Sequence, residues 1–204
     1  MRATTQLRRM LEAPGIIVAP GAYDGLSARL IERQGFRAVY MTGAGTAAST
    51  IGHADVGLTT LTEMATHAGR IASCISLPLI ADADTGYGNA LNVIRTVREY
   101  ERAGVAGLHL EDQVFPKKCG HIAGKAVIPA KEFAEKIRAA VENRMDPDFV
   151  IIARTDARAV NGLDEREARL RRRGALRERH ASRHHGVQQR QRDRRAHAAK
   201  HRPP

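Results

Sequence analysis

The run Lys117-Lys118-Cys119-Gly120-His121 sets one of the chain's two cysteines between cations and beside a glycine. Lys and His⁺ nearby favour the thiolate, and a glycine lets backbone approach a ligand closely. A cysteine at this spacing can therefore give or take a proton near neutral pH, with Lys117 and His121 as its catalytic partners. Lysines and glycines also make ordinary surface loops, so the assignment leans on what surrounds the run. The other cysteine, Cys74, lies in the helical-looking stretch IASCISLPL and reads as a small buried hydrophobe.

The acidic residues supply the second half of the chemistry. Asp82 and Asp84 stand two apart after one apolar run, and Glu111 follows the next. Such hard oxygen ligands suit Mg2+, with Mn2+ as the alternative, and Mg2+ takes one or two carboxylates directly and the rest through water. Asp55, in GHADVG, can join that outer shell, whereas Asp24 before Gly25 reads as a turn or helix-cap residue. A cation here would act as a Lewis acid on an enolate oxygen formed beside a carboxylate. Arg154 would hold a substrate carboxylate in a bidentate fork.

These residues need elements that bring them together. From Ile16 onward a short apolar run, a polar or glycine-rich turn and an amphipathic segment recur, which is the βα unit. Five strands are expected at residues 16–21, 38–43, 78–84, 107–113 and 149–157, apolar on both faces as parallel strands require. Helices are expected in AYDGLSARLIERQG, LTEMATHAGRIASCI, NALNVIRTVREYERAG and PAKEFAEKIRAAVENR, the last opened by Pro129. Gly35 and Gly104 sit where C-caps belong. Thr42-Gly43, Asp82, Asp84, His109, Glu111, Asp112, Arg154 and Asp156 all fall where strands run out, which in a (β/α)8 barrel gathers them at one mouth. No GxGxxG or GxxxxGK[ST] loop is present, which favours the barrel over a nucleotide-binding sheet.

The chain has 204 residues and 43% hydrophobic content, enough for one sizeable core, with nothing that reads as a membrane span or a signal peptide. The expectation is a cytoplasmic protein. Two cysteines without CxxC spacing make neither a disulfide framework nor a thiolate metal site. The net charge of +11 is concentrated at one end: residues 164–204 hold 14 Lys+Arg against 5 Asp+Glu, leaving 19 against 17 for residues 1–163. From Arg166 the only large aliphatics are Leu170, Leu176 and Val187, too few to offset the entropy of ordering. The expected organisation is a partial barrel over 1–165 and a disordered basic tail over 166–204. The tail has no aromatic residue for base stacking, so nucleic-acid binding is expected only as non-specific, salt-sensitive contact. Its abrupt change of composition in mid-helix reads as a shifted reading frame.

YMTGAG, ADADTGYG, LHLEDQ, KKCGH with GKAVIP after it, and IIARTDA, in that order from about Pro14 to Glu165, resemble the isocitrate lyase and phosphoenolpyruvate mutase superfamily, most of all its 2-methylisocitrate lyase branch. The resemblance implies a Mg-dependent carbon-carbon lyase that splits a 2-hydroxy tricarboxylate into a 2-oxo acid and succinate. It implies Asp82 as the direct metal ligand, with Asp55, Asp84 and Glu111 acting through water. Tyr40, Thr42, Gly43 and Ala44 would meet the 2-oxo acid part; Arg154, Gly120 and His121 would contact carboxylates; Cys119, on a loop from Val114 to Val127 that closes over substrate, would protonate the succinate carbanion. Relatives continue through three more strands and a helical region that builds a homotetramer, so assembly is expected only of a full-length chain. A complete barrel takes about 250 residues. Carboxyphosphonoenolpyruvate phosphonomutase and dimethylmalate-type lyases remain alternatives within the superfamily, and an inactive fragment with open sheet edges remains one outside it.

Overall fold

The computed structural model describes residues 1–169. Its frame is a five-stranded, all-parallel sheet in the order β1-β2-β3-β4-β5, made of Gly21–Ala22, Val39–Met41, Leu79–Asp82, Gly107–Glu111 and Val150–Arg154. The helices are α1 Ala3–Glu12, α2 Gly25–Arg33, α3 Gly43–Ile51, α4 Leu61–Cys74, α5 Ala90–Arg102, α6 Ala130–Asn143 and α7 Ala157–Asn161. Strand order equals chain order, the arrangement of consecutive units in a (β/α) barrel.

Alternation along the strands sorts the side chains onto two faces. Val39, Met41, Leu79, Ala81, Leu108 and Leu110 face the helices and are buried with Met64, Ile71, Val93, Val97, Phe133 and Ile137. The other face carries Tyr40, Asp82, His109, Glu111 and Arg154. The register sets Asp82 opposite His109 and Glu111 opposite Arg154. At the opposite end of this face α1 lays Leu7 against Ala106 and Val150, with Ile80 and Ile152 alongside. Thr4 and Thr5 tie the same helix to Asp146 and Asp148, each at 2.7 Å.

Four helices form where the periodicity placed them, and their ends have local causes. Asp24 caps α2 by accepting from Ser27 N at 2.7 Å, and Asn89 and Thr60 cap α5 and α4 in the same way. Pro129 stands immediately before α6. Gly35 and Gly104 take φ of 80° and 81° after their helices, as C-cap glycines do. Cys74 ends α4 half-buried, its thiol donating to Ile71 O at 3.1 Å.

Three expectations shift. The first strand is Gly21–Ala22 rather than 16–21: Ile16 is 92% exposed and Val18 59% exposed. Pairing with β2 begins only where Tyr40 N donates to Pro20 O, and among the described residues no second strand flanks the run before it. Helices α1, α3 and α7 carry no expectation from the sequence, and α7 begins at Ala157, inside the span 149–157 read as strand, because β5 ends at Arg154. The expectation of disorder from Arg166 fails at its start: residues 163–169 are helical and Arg169 is buried, donating to Asp112 Oδ2 at 2.9 Å and to Ile128 O at 2.8 Å. A buried acceptor pair holds the helix where aliphatics are lacking. The rest of the expected tail, residues 170–204, lies outside the described residues.

Candidate active site

Asp82 ends β3 and is almost fully buried. Its Oδ2 accepts from Gly43 N at 3.1 Å and from the Tyr40 hydroxyl at 3.3 Å, and its Oδ1 accepts from Asp84 N at 2.9 Å. His109 Nε2 lies 3.1 Å from Oδ1, off the line of a hydrogen bond, while Nδ1 meets the Tyr40 hydroxyl at 2.9 Å and the two rings stack. Burial works to raise the Asp82 carboxyl, but His109, Lys117 and the Asp84 amide outweigh it and hold it well below the usual carboxylate range. Gly43 is needed for this approach, since a Cβ there would stand 2.5 Å from Asp82 Oδ2.

Asp84 follows in the left-handed region, at φ 46°, a strained conformation for a residue with a side chain. Its carboxyl is pushed up to about 6 by burial and then by Asp82, against the pull of Lys117. Glu111, at the end of β4, is pushed up to about 7 by burial, with Asp82 and Asp84 adding to the effect and Arg154 and Lys117 opposing it. Three acids are thus crowded into a space too poor in water to carry all their charge.

Lys117 answers that crowding. Spacing alone made it a cation beside the Cys119 thiol; instead its buried ammonium lies between Asp55 and Asp84, 2.6 Å from Asp84 Oδ1 and closer to Asp55. Burial would lower its pKa, but Asp84 and Asp82 raise it above the ordinary lysine value. The desolvated carboxylates draw the ammonium inward.

Of the other candidates, Arg154 sets Nη1 3.1 Å from Glu111 Oε2 and Nη2 3.3 Å from Asp156 Oδ2, with a third of the side chain open to solvent. Thr42 spends its hydroxyl on capping α3, accepting from Gly45 N at 3.0 Å, and Gly43 N is spent on Asp82, so the exposed Ala44 presents its amide at the mouth. Cys119 is half-buried, with its N–H donating to Asp55 O at 2.9 Å. Gly120 packs on Arg154, where a Cβ would stand 2.6 Å from Nη2. His121 is exposed on the loop and is not part of the carboxylate cluster.

Residues not singled out beforehand complete the site. Gln113, fully buried, donates to Glu111 Oε1 at 2.9 Å and to Lys118 O at 2.8 Å, and accepts from Lys118 N at 3.0 Å. Lys125 joins Gly120 O at 2.6 Å to Asp156 Oδ1 at 2.9 Å. The signals were the glutamine after Glu111-Asp112 and the lysine of GKAVIP, both inside stretches already picked out for other residues.

The donor set is oxygen-rich, Asp84 Oδ1 is buried without a well-directed hydrogen bond, and two of the acids are raised towards neutrality. Among the described residues no three His, Cys, Asp or Glu side chains already converge as a cage. Such a site fits a hard cation that keeps water and takes one or two carboxylates, the habit of magnesium.

The family model described as phosphoenolpyruvate phosphomutase matches residues 7–181. The chain belongs to this family. It is 54% identical over 165 residues to 2,3-dimethylmalate lyase of Eubacterium barkeri, covering 81% of this chain and 57% of that one. It is 50% identical over 159 residues to 2-methylisocitrate lyase of Aeropyrum pernix, covering 78% and 51%. Among solved structures, 2,3-dimethylmalate lyase, described as a member of the PEP mutase/isocitrate lyase superfamily, superposes with a TM-score of 0.83 at 51% identity, over 86% of this chain and 60% of that one. Phosphonopyruvate hydrolase in complex with oxalate and Mg++ superposes with a TM-score of 0.77 at 35% identity, over 87% and 60%. The chain therefore spans between half and three-fifths of the length of these family members. Its five strands and their helices are consecutive units of the family's barrel.

Proposed function

We propose that the protein is a Mg-dependent carbon-carbon lyase acting on a 2-hydroxy acid with several carboxylates, 2-methylisocitrate first, which it would split into pyruvate and succinate. The observation that carries the reading is the placement of Cys119: its loop is bonded to Asp55 on one side and packs on Arg154 on the other, over the carboxylates of β3 and β4. Bound to Asp82, and through water to Asp84, Glu111 and Asp55, magnesium would supply Lewis-acid stabilisation of the oxygen on the breaking side.

The chain's own residues do the rest. Arg154 binds a substrate carboxylate through the exposed part of its guanidinium, and the Ala44 amide orients the 2-oxo acid part while Gly43 beside it holds Asp82. The substrate hydroxyl gives its proton to a carboxylate of the cluster as the bond between C2 and C3 breaks. The electron pair left on the departing fragment takes the Cys119 proton, and the loop's cover keeps water from that carbanion. Lys117 holds Asp55 and Asp84 together, so its part is to position them rather than to activate the thiol.

A second substrate has its own support: the identity to 2,3-dimethylmalate lyase is 54%, against 50% for the 2-methylisocitrate lyase above. The same cleavage of 2,3-dimethylmalate releases pyruvate and propionate. Magnesium-dependent pyruvate release from each compound, followed by a coupled dehydrogenase, tests both readings, and release from neither overturns the lyase assignment. The protein would act in the cytoplasm: both cysteines are free, and no helix among the described residues is long and apolar enough to cross a membrane.

A further inference from the structure

Asp156 stands two residues past β5 and faces the loop that carries Cys119. Its Oδ1 accepts from Lys125 Nζ at 2.9 Å, and its Oδ2 lies 3.4 Å from Gln113 Nε2, a long contact because the two amide protons serve Glu111 Oε1 and Lys118 O. Those two partners sit at the opposite roots of the loop, and Gln113 also pairs with Val127 across its neck. Each grips the backbone on one side of Cys119. The Gln113 amide satisfies both the N–H and the carbonyl of Lys118, at 3.0 and 2.8 Å, and the Lys125 ammonium holds the carbonyl of Gly120 at 2.6 Å. Cys119 is therefore bracketed by two held peptide groups, and the one at Gly120 is anchored through Lys125 to Asp156.

The anchor is itself fixed. Asp156 N donates to Asp112 Oδ1 at 2.9 Å, and Asp112, fully buried, also accepts from Thr155 Oγ1 at 2.5 Å and from Arg169 Nη1 at 2.9 Å. The Asp156 and Lys125 side chains are both about nine-tenths buried, so water competes weakly for their pair. Elsewhere the loop shows solvent: residues 121–124 are exposed, as are Val114 to Pro116. A loop held at its roots and beside its cysteine, but loose at its tip, can open by breaking few bonds.

We propose that Asp156 is a positioning residue: through Lys125 it latches the Cys119 segment over the site, and release of that arm lets the thiol swing into solvent. The chemical purpose of the latch rests on the proposed function, in which Cys119 is the proton donor; the latch itself does not. With the charge-assisted bond of that arm lost, the open population rises about tenfold.

The test measures alkylation of Cys119 by iodoacetamide in the full chain without substrate or metal, by peptide mass spectrometry, with Cys74 as the internal reference. Asp156→Asn and Lys125→Met should each raise the Cys119 rate about tenfold relative to Cys74, and Lys125→Arg, which keeps the charge, should stay within about threefold of wild type. Wild-type reactivity of Cys119 in both neutralised proteins overturns the latch. A parallel rise at Cys74 also counts against it, because the fold rather than the loop has then loosened. Pyruvate release at the wild-type rate from a protein whose Cys119 has become tenfold more reactive supports the latch and instead removes Cys119 from the chemistry.

Discussion

The Lys117 ammonium lies 2.6 Å from Asp84 Oδ1, with Asp55 against its other side, although the three residues come from separate loops of the chain. Asp84 follows β3, Asp55 lies between α3 and α4, and Lys117 belongs to the cysteine-bearing loop after β4. One buried cation thus ties the loop to two other segments of the mouth. It also offsets carboxylates that burial would otherwise force to take up protons.

Replacing Lys117 by Met should accordingly cost about 3 kcal/mol, the usual penalty for leaving the other half of a buried pair without its partner. Adding Asp84→Asn in the same chain should return part of that loss, because it removes the charge left exposed to a low-dielectric surrounding. Urea denaturation of the three proteins measures both effects. Equal midpoints for wild type and Lys117→Met would show that the ammonium contributes nothing net.

Gly120 touches the Arg154 guanidinium, which is the free end of a flexible side chain. Gly120→Ala should therefore leave stability within about 1 kcal/mol of wild type while pushing Arg154 from its place between Glu111 and Asp156. A misplacement of this size at a binding arginine should lower kcat/KM about 100-fold. Wild-type kcat/KM in a cooperatively folded Gly120→Ala protein would mean that Arg154 does not read the substrate.

The strands that carry the site could be read in advance, because β2 to β4 are largely buried and β5 half-buried, and all four appear as apolar runs, the last three ending in Asp82, Glu111 and Arg154. Their helices could be read from a 3.6-residue period against that sheet. Three helices left no such trace, the five-residue α7 being too short to show a period. In α1 only Leu7 and Met10 are buried, one turn's worth of signal, and α3 is GAGTAASTI, whose small residues pack without any apolar stripe. Lys117 is legible as a cation of the cysteine loop, but its carboxylate partners are not, since spacing along a chain says what is adjacent to a thiol and not which carboxylates folding brings from residues 55 and 84. The anchoring role of Asp156 was hidden for the same reason, since its contacts to Gln113 and Lys125 join β5's end to the β4–α6 loop, and the bonds of Gln113 to Lys118 and of Lys125 to Gly120 depend on how that loop folds on itself.

Leu7 provides a check on the unanticipated helix. It is fully buried against Ala106 and Val150 at the starts of β4 and β5. Leu7→Ala should cost about 3 kcal/mol, as a buried leucine truncated in a close-packed setting does. Leu11, on the same helix, is 52% exposed, and Leu11→Ala should change stability by less than about 0.5 kcal/mol. Thermal unfolding of the pair separates them, and similar losses at both positions would mean that α1 is not seated as described.

Cys119→Ser gives the most direct test of the proposed chemistry. Serine is close to cysteine in size, and the loop is held through backbone groups: Cys119 N donates to Asp55 O, Lys118 is bonded to Gln113 and Gly120 to Lys125. The substitution should leave those bonds, and hence the fold and the affinity for magnesium, as they are. The hydroxyl is a far weaker acid than the thiol, so protonation of the departing fragment should slow by about 100-fold or more. Asp82→Ala should behave in the opposite way, losing metal affinity and activity together, because Asp82 is the buried carboxylate on which Gly43, Tyr40 and Asp84 converge. Calorimetric titration with magnesium alongside pyruvate release distinguishes the two proteins. Retained metal affinity in Asp82→Ala would assign the ion to another carboxylate, and turnover by Cys119→Ser within about tenfold of wild type would end the case for the thiol as proton donor.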